Sequence, residues 1–348
     1  MAFTQDYASS INYTTLGNPN FQSGDREDLT DVISMIAPET LPVLNLAAKS
    51  KAQATYHEWQ MDDLLPVITV GIPEAQDFSA FTNEAAPRVR TGNFVQRIGD
   101  AFGVSVEQSL VNVAGVENEY DRARIKKTKE ILRSLEAALC STNDMQAGGS
   151  QGAQMRGLGT WIQNAAQTNN AVPANYRTPT GNIKTGASSS FLESDFKTII
   201  QNVYYQTGDI SLGYDFVVGP ALKNVIANFV KATVISTTTL DTRRQNYNGD
   251  DNNKELKDGI DVYDSDFGRV RIMPTMFNAL TNGANPKTTT TAQLYQGYLL
   301  RRDLIEVAYL REIGAQELPD LGGGRRGYVD VLATLVVKNP LGLGKVTS

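Results

Sequence analysis

Apolar and polar positions along the chain fall into blocks of different period, and each block predicts a different kind of element. The most regular runs from Glu117 to Thr142 without glycine or proline. Ile125, Thr128, Leu132, Leu135 and Leu139 recur there at alternating three- and four-residue spacing, with Ile131 and Ala138 beside the stripe. Glu117, Glu119 and Asp121 crowd the start, where the positive end of a helix dipole favours acids. The spacing predicts one helix of roughly 39 Å, long enough to cross a domain. Its other face carries Arg122, Lys126, Lys129, Glu130 and Arg133. Mixed signs make that face a solvated surface or an ion-pair strip between subunits, ahead of a polyanion site.

Before this helix the pattern is irregular. Residues 1–24 are polar and rich in Asn, Ser, Thr and Gly, an arm unable to bury itself unaided. A short helical pattern follows from Asp25, with Val32, Ile33 and Ile36 on one side, broken by Pro38 and Pro42. Leu41, Leu44 and Leu46 add apolar anchors. Tyr56-His57-Glu58-Trp59-Gln60-Met61 alternates as a strand does, and strand-like composition returns at 94–98 and 101–106. The stretch 62–92 between them holds Pro66, Pro73 and Pro87 and reads as poor in large apolar residues. A connection this long is uncommon inside a compact domain. Two strands flanking it predict a projecting hairpin arm that needs a partner to cover it.

Beyond the helix, Gly148-Gly149-Ser150-Gln151-Gly152 and a polar stretch up to Ser190 read as loop. Residues 191–280 read as an α/β unit. A helix carries Phe196, Ile199, Ile200, Val203 and Tyr204 and stops at Gly208. A buried strand follows at 214–218, then a helix with Leu222, Val225, Ile226, Phe229 and Val230 after Gly219-Pro220, and a strand at 269–273. Two more strands, 304–310 and 328–337, close the chain around a Gly-rich turn; Val329, Val331, Ala333, Leu335 and Val337 share one face of the second. No internal repeat is visible.

Composition narrows the chemistry. The 348 residues are 41% hydrophobic and 20% charged, a globular balance, with 32 basic against 38 acidic side chains and a net charge of −6. That acidity argues against a dedicated nucleic-acid binder. One histidine and one cysteine exclude a His-rich metal site, a Cys-based zinc cluster and an intramolecular disulfide. Neither a secretion signal nor an apolar run of membrane-spanning length is expected, and synthesis in the cytoplasm is the default.

Each candidate for chemistry has a plainer reading. His57, with Glu58 or Asp62 to orient it, could act as a general base, but a lone histidine beside Trp59 in a strand reads as packing. Cys140 reads as a small buried hydrophobe. Asp261, Asp264 and Asp266 before Gly268 resemble a calcium loop without its full acidic pattern, and a turn explains them better. The runs 322–327 and 342–345 are glycine-rich but lack the helix and Lys-Ser/Thr pair of a phosphate cradle. Asn12-Tyr13-Thr14 matches a glycosylation sequon by chance. No catalytic, cofactor-binding or metal site is expected.

Several segments, in order, resemble one family. Asp28-Leu29-Thr30-Asp31-Val32-Ile33, then Ile36, Pro38, Pro42 and Leu44, then Lys49-Ser50-Lys51-Ala52 and His57-Glu58-Trp59-Gln60 with Asp62 and Leu64, are similar to the N-terminal signature of tailed-bacteriophage major head proteins. Gly157-Leu158-Gly159-Thr160-Trp161-Ile162 and the ending Thr334-Leu335-Val336-Val337-Lys338-Asn339-Pro340 with Gly344-Lys345 fit the same family. The segment Pro73-Glu74-Ala75-Gln76-Asp77 departs from the Glu-Gly pair expected there.

The resemblance implies an α+β fold of the Hong Kong ninety-seven type. Its parts would be an N-terminal arm (1–54), an extended hairpin loop with flanking strands (55–115), and a spine helix in a peripheral domain (116–190). An α/β axial domain (191–300) and C-terminal strands returning to the peripheral domain (301–348) would complete it. The implied role is a non-enzymatic major capsid protein, assembled into hexamers and pentamers of an icosahedral virion shell around double-stranded DNA. Scaffolding, portal and decoration proteins are the implied further partners, with no membrane. The alternatives are an encapsulin-like protein cage of the same fold, a metal-dependent hydrolase built on Asp261, Asp264 and Asp266, and a monomeric binding module.

Overall fold

A computed structural model describes residues 40–65, 67–78, 81, 83, 87–110, 118–185, 191–209, 211–235, 240–244, 260–280, 290–320 and 322–347. The expectations for 1–24 and for the helix at 25–36 lie outside them. In chain order the first elements are α1 (Pro42–Leu46), β1 (Ala48–Lys51), β2 (Tyr56–Met61), β3 (Val89–Phe94), β4 (Gln96–Val104), α2 (Val106–Leu110), α3 (Glu119–Leu139) and α4 (Leu158–Trp161). There follow β5 (Ile183–Lys184), α5 (Glu193–Thr207), β6 (Tyr214–Val218), α6 (Pro220–Ala227), β7 (Lys231–Ile235), β8 (Leu240–Arg244), β9 (Val262–Ser265) and β10 (Gly268–Pro274). The chain closes through α7 (Thr291–Tyr295), β11 (Gly297–Leu300), β12 (Ile305–Leu318), β13 (Arg325–Val337) and β14 (Gly344–Val346).

Two sheets organise these elements. The four-stranded sheet runs β1-β12-β13-β4, antiparallel except for the parallel β1–β12 edge. The six-stranded sheet runs β5-β14-β11-β6-β10-β9, with parallel pairs at β5–β14 and β6–β10. β2–β3 and β7–β8 form separate antiparallel ribbons.

The long helix is α3, 21 residues and about 31 Å. Asn118 caps it by accepting from the N–H of Tyr120 at 3.0 Å. Its buried face is Tyr120, Ile131, Leu135, Glu136 and Leu139, packed over β4 and β13. This stripe is rotated from the one the spacing predicts, because Ile125 is 57% exposed and Leu132 only partly buried. The start of α3 is held over the sheet by Tyr120, whose ring lies 5.2 Å from that of Phe102 of β4, while Ile125 falls on the side turned to water. The charged face is in part neutralised within the chain: Lys127 bridges Asp100 and Glu130, and Arg122 pairs with Glu119.

The first core gathers Leu135, Leu139, Cys140, Trp161, Val307, Val331 and Leu335, and also takes in Val217, Tyr298 and Leu300 of the six-stranded sheet. The second gathers α5, α6 and the six-stranded sheet around Phe196, Ile200, Phe216, Val218 and Ile272. Here the sequence reading holds closely: α5 ends at Gly208 with φ +63°, and all of β6 is buried. The two long C-terminal strands, β12 and β13, pair in the four-stranded sheet, and a further short strand that the sequence reading did not name, β14, lies between β11 and β5. Lys345 is anchored there, its Nζ donating to the Gly159 carbonyl at 2.8 Å, and Leu343 and Val346 are fully buried on either side.

Each sheet has a buried aspartate in a central strand, held from both flanks. Asp330 of β13 pairs with Arg97 of β4 at 2.9 Å and with Arg311 of β12. Asp215 of β6 pairs with Arg271 of β10 at 2.8 Å and with Arg302, just past β11, at 2.7 Å. The charge-assisted bonds tie three neighbouring chain segments together through one carboxylate.

Core packing sets the expected cost of truncation. Leu135→Ala should destabilise the unassembled subunit by about 2–5 kcal/mol in urea unfolding, as for other fully buried leucines. Ile125→Ala should stay within about 0.5 kcal/mol, as surface changes do.

Candidate interaction surface

The sequence reading gave the 62–92 stretch too few apolar residues and began the return strand too late. β2 pairs with β3 in full register from Tyr56↔Phe94 to Met61↔Val89, so the excursion spans 62–88. Gly92 is required there: a Cβ would lie 2.6 Å from the His57 carbonyl oxygen. Asn93, fully buried, gives and takes three backbone bonds, with Arg156 N and O and with Leu335 O. These distant partners hold residues 89–94 as a strand.

The base of the hairpin is fastened firmly. Trp59 packs on Trp161 with ring centroids 5.5 Å apart, and Met61 is buried. Tyr176 donates its hydroxyl to the Pro87 carbonyl at 2.6 Å, and Arg88 pairs with Asp62 at 3.2 Å. Arg90 pairs with Glu58 across the two strands.

Behind this base lies Arg156, fully buried. Its Nε donates to Asp144 at 2.7 Å, Nη2 donates to the carbonyls of Asn169 and Asn170, and its guanidinium carbon sits 4.8 Å from the Trp161 ring centre. Asn170, at φ +40°, donates in turn to the Tyr56 hydroxyl. Burial pushes the Asp144 carboxyl upward, but the Asn169 N–H and the Arg156 guanidinium outweigh it and hold it below the ordinary carboxylate value.

Beyond the base the excursion has no regular secondary structure among its described residues, and its apolar side chains face water. Leu64 is 92% exposed and Phe81 90%, with Val67, Ile68, Val70 and Phe78 nearly as open. Ile68, Val70 and Ile72 fall at every second position, as on one face of an extended segment. Apolar side chains exposed together on one arm mark a surface built to be covered.

The candidates for chemistry do not converge. His57 lies on β2 with its ring 6.1 Å from that of Trp59. Cys140 is fully buried at the end of α3, and burial pushes its thiol well above the usual value. Asp261 pairs with Lys223 at 2.8 Å and Asp264 with Arg269 at 2.8 Å, while Asp266 sits in the turn between β9 and β10. Among the described residues no group of three or more His, Cys, Asp or Glu could hold a metal ion, and no helix is long and apolar enough to cross a membrane. The glycine-rich turn is closed by its own acid, Asp320 accepting from the N–H of Gly322 at 2.8 Å and of Gly324 at 3.3 Å. A cleft of about 680 Å³ beside α3 is lined by Gln96, Arg97, Arg133 and Gln154 among others, and by none of His57, Cys140 or the three aspartates.

Comparison with known proteins agrees with this architecture. A family model described as SU10 major capsid protein matches residues 9–348. The capsid structure of the cyanophage P-SCSP1u superposes with a TM-score of 0.56 at 10% identity, covering 98% of each chain. The capsid of a native GTA particle gives 0.55 at 13% identity, covering 97% of this chain and 99% of that one. Mycobacterium phage Adephagia gives 0.55 at 11% identity, covering 93% and 94%. Among curated protein sequences none matches the chain.

Proposed function

This chain belongs to the SU10 major capsid protein family, and from that premise we infer that the exposed 62–88 arm is the contact by which one subunit covers itself on the next. It is a major capsid protein of a tailed phage, with the Hong Kong ninety-seven-type fold, and a structural component of the virion. The observation that carries the reading of the arm is the row of exposed apolar side chains from Leu64 to Phe81 on a rigidly held hairpin.

Magnitudes favour many such contacts over one. Fully burying a Val, Leu, Ile or Phe side chain is worth about 1.5–3 kcal/mol. Three of them on one arm offset roughly 5–9 kcal/mol, comparable to the rigid-body freedom lost on association. A single arm therefore makes a weak dimer. A subunit that gives one arm and receives another is held by several linked contacts, and the closed assembly is stable. Heterologous contacts of this kind close into rings. Hexamers through the six-stranded-sheet unit, with pentamers at the vertices, follow as the proposed tiling. The proposed units are 1–54, 55–115, 116–190, 191–300 and 301–348, the last as C-terminal strands returning to the peripheral domain.

Double-stranded DNA is the proposed content, held by non-specific contact with an inner wall that the net charge of −6 keeps from adhering. Scaffolding, portal and decoration proteins are the proposed partners and the host bacterial cytoplasm the proposed site of synthesis. Family membership favours this over an encapsulin-like cage and over a hydrolase, and Asp261 and Asp264 are each paired with a cation, Lys223 and Arg269. Electron microscopy and sedimentation of the overexpressed chain should show closed shells above a threshold concentration. A single species of 37.9 kDa at every concentration would refute self-assembly and favour a monomeric binding module.

A further inference from the structure

One side of α3 carries a line of cations. Arg122, Lys126, Lys129 and Arg133 recur at four, three and four residues and so share a side of the helix. Arg122, Lys126 and Lys129 are exposed, and the Arg133 Nε is buried with no hydrogen-bond partner among the described residues. The nearest acids on α3 are Glu119, which holds Arg122 at 3.5 Å, and Glu130, which turns to Lys127 at 2.9 Å. Ile125, 57% exposed, sits within the line, three residues past Arg122 and four before Lys129. An apolar side chain inside a row of cations suits an acidic, amphipathic peptide.

The line runs into a contact already made. Ile125, Lys129, Leu132 and Glu136 follow one another at four, three and four residues, so Glu136 stands at the C-terminal end of the same track. Its two carboxylate oxygens accept there from the Val43 N–H at 2.9 Å and the Leu44 N–H at 2.8 Å. Val43 and Leu46 share the core with Leu135 and Leu139 beside them. The chain before Thr40 therefore starts from this track. Its sequence there has four acids, Asp25, Glu27, Asp28 and Asp31, against one base, Arg26. Leu29, Val32, Ile33 and Ile36 follow at the spacing of one helical side.

We propose that residues 25–36 dock along the first half of α3 of their own chain, acids against Arg122, Lys126 and Lys129 and apolar positions over Ile125. The lengths agree. Residues 37–40 reach up to about 14 Å when extended. Residues 25–36 cover about 18 Å at helical rise. Together they exceed the roughly 26 Å of helix between Glu136 and Glu119. Run toward the start of α3, the segment brings Asp25 and Asp28 to Arg122 and Lys126 and leaves Ile36 nearest Glu136. The 62–88 arm is acidic as well, but its base is fastened at Trp161 and Tyr176, whereas Val43 and Leu44 already lie on the track. The contact belongs to the single subunit and stands whether or not shells form, so its failure and that of the assembly reading are separable.

Amide hydrogen exchange on the full, unassembled chain tests it. Amides from Leu29 to Ile36 should exchange about tenfold or more below their intrinsic rates, equally at every concentration short of shell formation. Arg122→Glu, Lys126→Glu and Lys129→Glu together should abolish that protection, while the amides of Leu135 and Leu139 stay as protected as before. Adding Asp25→Lys, Asp28→Lys and Asp31→Lys to that variant should restore it. Should the α3 variant not fold, the three aspartate changes alone should abolish the protection. Exchange at the intrinsic rate over 29–36 in the unaltered chain, or protection that survives either set of reversals alone, would overturn the proposal. Protection that appears only as concentration rises would give the track to a second copy. Retention of duplex DNA that depends on the three cations, in a chain whose 25–36 is unprotected, would give it to a polyanion. Both results overturn docking within the chain.

Discussion

Replacing Ile68, Val70 and Phe81 together by aspartate should leave a folded subunit that forms no closed shells. All three are exposed, so the subunit loses no packing of its own, and its unfolding midpoint should stay within a degree or two of the unaltered chain. Assembly carries the whole effect. Each change removes about 1.5–3 kcal/mol of burial at every arm contact and puts a charge where the neighbour offers apolar surface. A shell repeats that loss at each contact, so the threshold concentration should rise by orders of magnitude. Sedimentation and electron microscopy decide it; normal particles from the triple variant would mean that the arm is not the contact.

The second large effect is expected at Arg156. Arg156→Ala empties a fully buried site, removes the partner of Asp144 and leaves the carbonyls of Asn169 and Asn170 without their donor. Breaking a buried pair from one side costs about 3–5 kcal/mol. Asp144 keeps the N–H groups of Met145, Thr168 and Asn169, so the carboxylate is not abandoned and the lower part of that range is expected. Because Asn170 also holds Tyr56 of β2, the hairpin base should loosen as well as the core. Urea unfolding reads the first, and proteolysis near 56–61 and 89–94 the second. Asp144 has a depressed carboxyl, so its contribution is full above the ordinary carboxylate value and is lost as pH falls through its lower folded one. The acid-unfolding midpoint should therefore rise in Asp144→Asn.

Much of the architecture was legible before any coordinates. The α3 helix, the α5 stop at Gly208 and the buried β6 strand rest on periodicity and on single-residue backbone preferences, which operate within a few residues. The family resemblance followed from motifs in order along the chain, and the matched range 9–348 agrees with it. Other features escaped because their signals are not local. Val-Arg-Thr-Gly-Asn-Phe does not resemble a strand; it is one because β2 lies opposite and Asn93 finds Arg156 and Leu335. The apolar content of 62–88 was underread because prolines dominate its appearance, and only exposure shows that its valines, leucines and phenylalanines are unburied.

Sequence by itself determined the order of elements and the family, since both depend on residue identity and short-range spacing. Only the tertiary structure decided which polar side chains are buried and with whom: Glu136 against the backbone of α1, Asp330 and Asp215 between paired arginines, and β14 in the six-stranded sheet. The reason is physical. A hydrophobic stripe is a property of one segment, whereas a buried charge or hydrogen-bonding group is tolerated only when a partner from elsewhere in the chain meets it, and that meeting exists only once the chain has folded.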